Sequence, residues 1–277
     1  MGLPDRTRRL IVNADDFGRS RSINEAVVLA HRDGILTTAS LMVNEPAFDD
    51  AVFLARQNPK LGVGLHLSLV CGRSQLAPEK IPALVNSEKQ FSDNAIAAGF
   101  RFFFLPQLKS QLRDELEAQF QKFRSTGLLL DHVNGHLNIH LHPVVFGILM
   151  ENRERWGIKH LRLTSDPLPL NLQLARGKFF YRLSHACIYQ LLSSWARPKL
   201  RRVHMRHTQN VFGLLQNARV DEEFVTKLLS RLPPGDSELY SHPSLDDFKN
   251  ELDALISPRV KDLVKKFGIE LIRYQDL

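Results

Sequence analysis

Two adjacent carboxylates, Asp15 and Asp16, follow directly after an apolar stretch that runs from Leu10 to Ala14. Neighbouring charges at the end of a buried strand repel each other, and they need solvation or a cation to remain ionised. A bound metal ion would explain the pair if one carboxylate is its ligand and the other is a general base beside it. The pair therefore indicates a catalytic metal site.

Two later histidines, His66 and His136, add side chains of the type that bind metal ions. A single histidine in a strand is more often a buried structural residue, so the prediction depends on convergence. Because the carboxyl ends of parallel strands share one rim, we expect both histidines to meet Asp15 and Asp16 there. An Asp/His/His set leaves coordination positions open for water and substrate. Together the four residues predict a metal-dependent hydrolase.

Other histidines lie close to His136 in the sequence. We predict that His132 orients a ligand through a hydrogen bond and that His140 lines the pocket. His142, which directly precedes Pro143, is predicted only to help begin a helix. These four histidines cannot all bind one ion directly.

Two candidate catalytic residues lie in the second half of the chain. His242 follows a short predicted strand, and its natural pKa range suits protonation of a leaving amine. A histidine in a surface turn is the alternative. Arg162 lies in an apolar predicted strand, where it is expected to pair either with the catalytic carboxylate or with an unrelated acid.

Bulk composition limits the class of protein. The chain has 277 residues and is 43% hydrophobic, and we expect one domain over residues 1–277. Only Cys71 and Cys187 are present, which argues against a disulfide framework and favours a reducing compartment. There is no apolar stretch of signal-peptide length before the first strand and no apolar run of about 18 residues. We therefore expect a cytoplasmic protein without a spanning helix.

The formal net charge of +7 is concentrated between Asp166 and Asp221, where nine cations and no acidic residue occur. Aromatic and aliphatic residues are interleaved with these cations, which are Arg176, Lys178, Arg182, Arg197, Lys199, Arg201, Arg202, Arg206 and Arg219. A segment of this kind suits a peripheral contact, through residues 176–206, with an anionic membrane at its inner face, or a lipid-linked substrate. A solvated helical insertion is the alternative. No nucleic-acid partner is expected, because no binding motif accompanies the charge.

Strands alternate with helices along the chain. The predicted strands cover residues 10–14, 37–43, 61–69, 128–133 and 159–163, and the predicted helices cover 22–32, 47–56, 107–124 and a segment starting at Pro143. This alternation implies right-handed crossovers and a parallel sheet, flat or closed into a barrel. Two insertions, at about residues 72–105 and 167–206, follow predicted strands. They are expected to form lids or substrate walls on the active-site rim.

Four segments together resemble the YdjC/ChbG family of carbohydrate deacetylases. They lie at residues 11–18, 62–67, 131–136 and 238–243, in the family's order and across nearly the whole chain. The first motif is highly specific, and the others are strong in combination. The resemblance implies an α/β fold, an irregular (β/α) barrel with parallel strands. It also implies metal-dependent removal of acetate from N-acetylated sugars.

The resemblance also implies roles for individual residues. By position, Asp16, His66 and His136 match the family's metal ligands, and Asp15 matches its proposed base. The family's divalent ion is usually described as Mg²⁺, whereas two histidine ligands by themselves suggest Zn²⁺. The identity of the ion stays open.

Three stretches, at residues 134–136, 141–143 and 210–213, are most similar to the hopanoid biosynthesis-associated (HpnK-like) branch. That branch implies deacetylation of an N-acetylglucosaminyl hopanoid lipid. Many members have Asp where Asn134 stands and a further His where Asn138 stands, so a supporting role at these positions depends on this chain's own contacts. The alternatives are a deacetylase of soluble chitooligosaccharides such as chitobiose, a metallo-hydrolase of another bond, and a non-enzymatic lipid-binding protein. A homo-oligomer is compatible with each.

Overall fold

The computed structural model describes residues 7–175, 177–216 and 219–277. Its seven parallel strands form one sheet in the order β4-β3-β2-β1-β6-β5, with β7 paired to the start of β1. The strands are β1 (Arg8–Phe17), β2 (Thr38–Leu41), β3 (Gly62–Leu67), β4 (Val133–Gly135), β5 (Asn210–Phe212), β6 (Gly235–Ser241) and β7 (Ile269–Leu271). The α-helices of the described residues are α1 (Arg21–Asp33), α2 (Phe48–Gln57), α3 (Ala95–Phe104), α4 (Leu108–Ser125), α5 (Pro143–Trp156), α6 (Leu168–Leu174), α7 (Phe179–Arg202), α8 (Glu222–Arg231), α9 (Lys249–Ile256) and α10 (Pro258–Lys266).

An extended segment at residues 159–165 closes the sheet between its two edge strands. The Arg162 N–H donates to the carbonyl of Val133 in β4, and the Val211 N–H in β5 donates to the carbonyl of Ser165, each at 3.0 Å. Because this segment bonds to both edges, the strands enclose an irregular barrel. The predicted α/β fold with a parallel-stranded barrel is confirmed.

Two predicted strands differ from the observed ones. The strand predicted at 128–133 is a regular strand only from Val133, although the Asp131 N–H already donates to the Val63 carbonyl of β3 at 3.0 Å. The strand predicted at 159–163 makes only isolated bridges. Its neighbours β4 and β5 are three residues long, so the barrel offers it few partners for a continuous ladder.

Helix α7 extends past the barrel at its carboxyl end. In the second half of α7 the Ser193 hydroxyl donates to the Thr164 carbonyl at 2.5 Å, near the end of the closing segment. After the helix, the Arg206 N–H donates to the Lys159 carbonyl at the segment's start. The helix therefore runs antiparallel to the strands. At about 1.5 Å per residue, the part of the helix from Phe179 to Ser193 extends up to about 20 Å beyond the strands.

Across the described residues, no helix combines the length and the apolar character that crossing a lipid bilayer requires.

Candidate metal centre and active site

Asp16, His66 and His136 lie together at the carboxyl ends of β1, β3 and β4. The Asp16 Oδ1 atom is 3.3 Å from His66 Nε2 and 3.0 Å from His136 Nδ1. All three residues are buried, and one ligand atom of each lies within 4.8 Å of the others. Among the residues that the structure describes, this is the only such group able to hold a metal ion. The structure thus brings together the three residues predicted as ligands.

A left-handed backbone conformation lets both adjacent carboxylates face this site. In a regular strand, neighbouring side chains point to opposite faces. Asp16 has a φ of 63°, and the pairing of β1 with β2 shifts register between Ala14 and Phe17. Asp tolerates the left-handed region better than most residues. The following Gly18 is also required, because a Cβ there would lie 2.9 Å from the Met42 carbonyl oxygen.

Arg19 holds the second oxygen of the Asp16 carboxylate. Its Nη1 donates to Asp16 Oδ2 at 2.9 Å, which leaves Oδ1 facing the two histidines. Burial alone would raise the pKa of Asp16, but its interactions with the His136 and His66 rings hold it well below its usual range. The carboxylate is therefore ionised and presents one oxygen as a ligand atom.

Asn134 fixes the orientation of the His66 ring. Its Nδ2 donates to Asp15 Oδ1 at 3.1 Å, since a carboxylate can only accept. Its Oδ1 then accepts a hydrogen bond from His66 Nδ1 at 2.7 Å. The proton is thereby placed on Nδ1, and the lone pair of Nε2 faces Asp16. These residues fit a metal ion, because the ring nitrogen nearest the carboxylate is the one free to bind it.

Arg162 forms a two-point ion pair with Asp15. Its Nη1 lies 2.7 Å from Asp15 Oδ2 and its Nη2 lies 2.9 Å from Oδ1, while Nη2 also donates to Glu238 at 2.7 Å. Burial would raise the pKa of the Asp15 carboxyl, but Arg162 and, to a smaller extent, His66 hold it well below its usual range. Of the two partners that the sequence left open, Arg162 takes the site carboxylate and a second buried acid.

The two oxygens of Asp15 are used unequally. Oδ1 accepts from the side chains of Asn13, Asn134 and Arg162, at 2.8, 3.1 and 2.9 Å. Oδ2 accepts only from Arg162 Nη1 in the hydrogen bonds of the described residues. Oδ2 therefore keeps a lone pair for a proton from the cavity, which Asp15 helps to line.

His132 lies at a distance from the group formed by Asp16, His66 and His136. Its ring bonds Asp131 Oδ2 and Ser40 Oγ, each at 2.9 Å, and Ser40 accepts from Asn134 Nδ2 at 2.8 Å. The prediction that His132 orients a ligand needs correction, because it reaches His66 only through two intermediate side chains. Gly64 makes this packing feasible, since a Cβ there would lie 2.5 Å from the His132 ring.

Two further predicted histidines have structural contacts. The prediction that His140 lines the pocket is wrong: the residue is fully buried, and its Nε2 bonds the Arg162 carbonyl at 2.9 Å. Burial and the nearby Arg162 charge lower the pKa of His140 to about 3. His142 accepts from the Val144 N–H at the start of α5, as predicted, and it also bonds the Gly99 carbonyl of α3 at 3.0 Å.

His242 lies beside Asp15 on the neighbouring strand. The pairing of Ala14 with Ser241 places His242 in register with Asp15, one residue beyond β6. Its backbone N–H donates to Glu251 at 2.6 Å, and its side chain lines the same cavity as Asp15. The histidine is therefore part of the site wall and not a remote surface turn.

These residues form the floor of a cavity of about 740 Å³. The floor is polar and includes Asp15, His66, His136, Tyr240 and His242. Both insertions contribute walls, which are mostly apolar or aromatic: Ile96, Gly99, Phe100, Phe103 and Phe104 of α3, and Tyr181, His185, Ile188, Tyr189 and Leu192 of α7. The cavity suits a molecule with a polar group at the floor and an apolar group between the helices.

The cations of the basic segment do not cluster at this cavity. Arg182 is buried and its Nε donates to Asn171 at 2.8 Å, and Arg176 lies outside the described residues. Five other cations lie at or beyond the C-terminal end of α7, near the amino end of the barrel: Arg197, Lys199, Arg201, Arg202 and Arg206. Near the cavity, α7 is preceded by the exposed Lys178.

Residues 9–266 match the family model described as YdjC-like protein. The chain belongs to the YdjC-like family. This confirms the resemblance to the YdjC/ChbG family.

Several curated relatives of this YdjC-like chain are named carbohydrate deacetylases. The one from Clostridium beijerinckii is 28% identical over 284 residues, which cover 97% of this chain and 100% of that relative. The one from Brevibacillus brevis is 39% identical over 153 residues, covering 54% of this chain and 57% of the relative. The chain thus spans little more than half the length of the latter protein.

A solved structure shares the fold. It is a candidate cellobiose-phosphate cleavage protein from Enterococcus faecalis V583, with a TM-score of 0.73, 21% identity and coverage of 98% of both chains. At this identity the similarity bears on the fold alone.

Proposed function

We propose that this YdjC-like protein is a metal-dependent N-deacetylase that hydrolyses the acetamide of an N-acetylated sugar. The observation that carries the proposal is the buried Asp16, His66 and His136 triad beside the ionised Asp15, all at one cavity floor. The names of the relatives support the same chemistry.

The triad would hold one divalent ion through Asp16 Oδ1, His66 Nε2 and His136 Nδ1. Two imidazoles and one carboxylate are typical ligands of Zn²⁺, whereas Mg²⁺ prefers oxygen donors, and both ions are tested below. When bound, such an ion polarises a carbonyl oxygen and makes water more acidic.

The neighbouring side chains would handle the protons. Asp15 takes a proton from the attacking water on Oδ2, the oxygen with an unused lone pair. Arg162 keeps the Asp15 carboxylate ionised between turnovers, because it holds the pKa of that carboxyl well below its usual range. His242, in register beside Asp15, protonates the departing amine.

We propose that the substrate is an N-acetylated glycolipid, and the branch resemblance names an N-acetylglucosaminyl hopanoid. The support is the contrast between the polar cavity floor and the apolar walls of α3 and α7. A soluble sugar such as chitobiose would fill the floor but leave the apolar walls without a partner.

Acetate release by purified protein tests this proposal. The substrates are an N-acetylglucosaminyl hopanoid and chitobiose, each assayed after chelation and after restoration of Zn²⁺ or Mg²⁺. We expect metal-dependent release from the hopanoid and its loss in Asp15→Asn, with Asp114→Asn, an exposed carboxyl, as the matched control. Release from chitobiose alone would exclude the lipid substrate. Release from neither by metal-loaded protein would exclude deacetylation of these sugars and favour another bond or non-catalytic lipid binding.

The cytoplasmic location, the single domain over residues 1–277, the absence of a nucleic-acid partner and a homo-oligomeric state remain predictions.

A further inference from the structure

Helix α3 exposes an apolar face at the mouth of the cavity. Its sequence holds one charged residue, Arg101, and it buries only Ala98 and Phe102. Phe100 and Phe104 are 63% and 66% exposed. A surface helix normally buries one apolar stripe and shows water a polar face, so the second face of α3 lacks a partner among the described residues.

The start of α7, directly before the cavity-lining Tyr181, exposes a similar surface. Phe179 and Phe180 open the helix, and Phe180 is 84% exposed. This is the part of α7 that extends beyond the strands. We define the aromatic rim as the exposed apolar residues of both helices at the mouth: Ile96, Phe100, Phe103, Phe104, Phe179 and Phe180.

The two segments that carry the aromatic rim contain more cations than acids, and the exposed Asp93 lies just before α3. No acidic residue occurs between Asp93 and Asp114, nor between Asp166 and Asp221. Arg101 and Lys178 are exposed beside the rim. Exposed aromatic side chains with flanking cations are typical of surfaces that lie in the headgroup region of an anionic bilayer.

We infer that the aromatic rim docks on an anionic lipid bilayer and turns the cavity mouth toward the lipid. The walls between the rim and the polar floor are mostly apolar or aromatic, so an amphiphile can pass from the bilayer with its sugar leading. The entry route rests on the proposed function, whereas docking itself does not need catalysis. The surface shares Lys178, Phe179 and Phe180 with the predicted contact at residues 176–206, but it excludes Arg201 and Arg202, which lie at the C-terminal end of α7.

Vesicle flotation tests the docking surface. The probes are vesicles of phosphatidylcholine alone and of phosphatidylcholine with phosphatidylglycerol. We expect wild-type protein to bind the anionic vesicles and a Phe100→Ser/Phe104→Ser/Phe180→Ser variant to lose about tenfold or more in affinity. Leu129→Ser, which alters an 82% exposed leucine before β4 at the other end of the barrel, should bind like wild type. An Arg201→Gln/Arg202→Gln variant should also keep its binding.

Failure of the wild type to bind anionic vesicles would overturn the inference, and so would full binding by the triple serine variant. It would also be overturned if the Arg201→Gln/Arg202→Gln variant lost binding while the triple serine variant kept it. Should the triple variant not fold, Phe180→Trp gives a second reading. The fluorescence that this substitution adds to that of the wild type should be quenched by brominated lipid in anionic vesicles. If the added fluorescence is not quenched, docking at the rim is contradicted.

Catalysis and docking can fail separately. Asp15→Asn should bind vesicles like wild type even if it releases no acetate. Vesicle binding without acetate release from any substrate would leave docking intact and reject the proposed function. Acetate release without vesicle binding would support the proposed function and reject docking.

Discussion

The guanidinium of Arg162 lies along the carboxylate of Asp15, with its two nitrogen–oxygen pairs at 2.7 and 2.9 Å in a fully buried setting. A planar guanidinium binds a carboxylate at two points and cannot lose its own charge. The pair therefore keeps Asp15 ionised and fixes its plane. It also leaves Oδ2 as the oxygen that can receive a proton.

Replacing Asp15 by Asn should reduce turnover by about 100-fold or more, because a general base typically contributes about 100- to 10,000-fold. Metal binding should persist, because Asp15 is outside the ligand triad. Steady-state acetate release and metal stoichiometry measure the two effects. Removing one partner of a buried ion pair also costs stability, although Glu238 still faces Arg162. A thermal melt therefore accompanies the assay, and turnover near the wild-type rate would reject Asp15 as the base.

His66→Ala should abolish metal binding, and Asn134→Leu should weaken it. The second effect is expected to be about 10- to 100-fold, since Asn134 only orients the His66 ring. Chelator competition gives the affinities. Metal at about 100 times its Kd should stabilise the wild type by about 2.7 kcal/mol and leave His66→Ala unchanged. Equal affinities for the wild type and Asn134→Leu would show that the hydrogen bond does not tune the ligand.

The grouping of Asp16, His66 and His136 could be predicted from sequence because it depends on residue type and on the carboxyl ends of parallel strands in one sheet. Other parts of the site could not. Alternation along β1 argues against Asp15 and Asp16 facing one site, and only the left-handed turn at Asp16 permits it. Ser40 carries no distinctive spacing; it joins the network because β2 lies between β1 and β3.

Composition was also a poor guide to the position of charge. The basic segment reads as one surface, yet Arg182 is buried against Asn171. Lys178 directly precedes the 24-residue helix α7, whereas Arg197, Lys199, Arg201 and Arg202 lie near its opposite end. Burial of individual side chains depends on tertiary packing, which a count of charges does not contain. The burial of His140 could not be predicted for the same reason, since residues on a short turn can face either the cavity or the core.

Gly64→Ala should destabilise the protein by about 1 to 3 kcal/mol, because its Cβ would lie 2.5 Å from the buried ring of His132. Urea unfolding measures the effect. Gly147→Ala in α5 is the matched control, since a Cβ there meets nothing within 4 Å and should stabilise the helix by up to about 1 kcal/mol. If both variants change stability equally, the packing of His132 against β3 does not require glycine.

Asp166 should make stability depend on pH. Its carboxylate accepts from the Leu215 N–H at 3.2 Å and from Asn171 Nδ2 at 3.3 Å. Burial raises its pKa to about 7, and these hydrogen bonds and Arg182 oppose the shift only in part. Because the folded state binds a proton more tightly than the unfolded state, stability is greatest below the unfolded pKa near 4 and is lost as pH rises through about 7.

The comparison with Asp166→Asn isolates this effect, since the variant cannot ionise at that position. Between about pH 5 and about pH 8 the wild type should lose about 3 kcal/mol of unfolding free energy relative to the variant, at about 1.4 kcal/mol for each pKa unit. Urea unfolding at both pH values measures the difference, and Asp114→Asn should show the wild-type dependence. A constant difference between wild type and Asp166→Asn across this range would mean that the Asp166 carboxyl titrates at its ordinary pKa, and hence that its buried contacts stabilise the charged form fully.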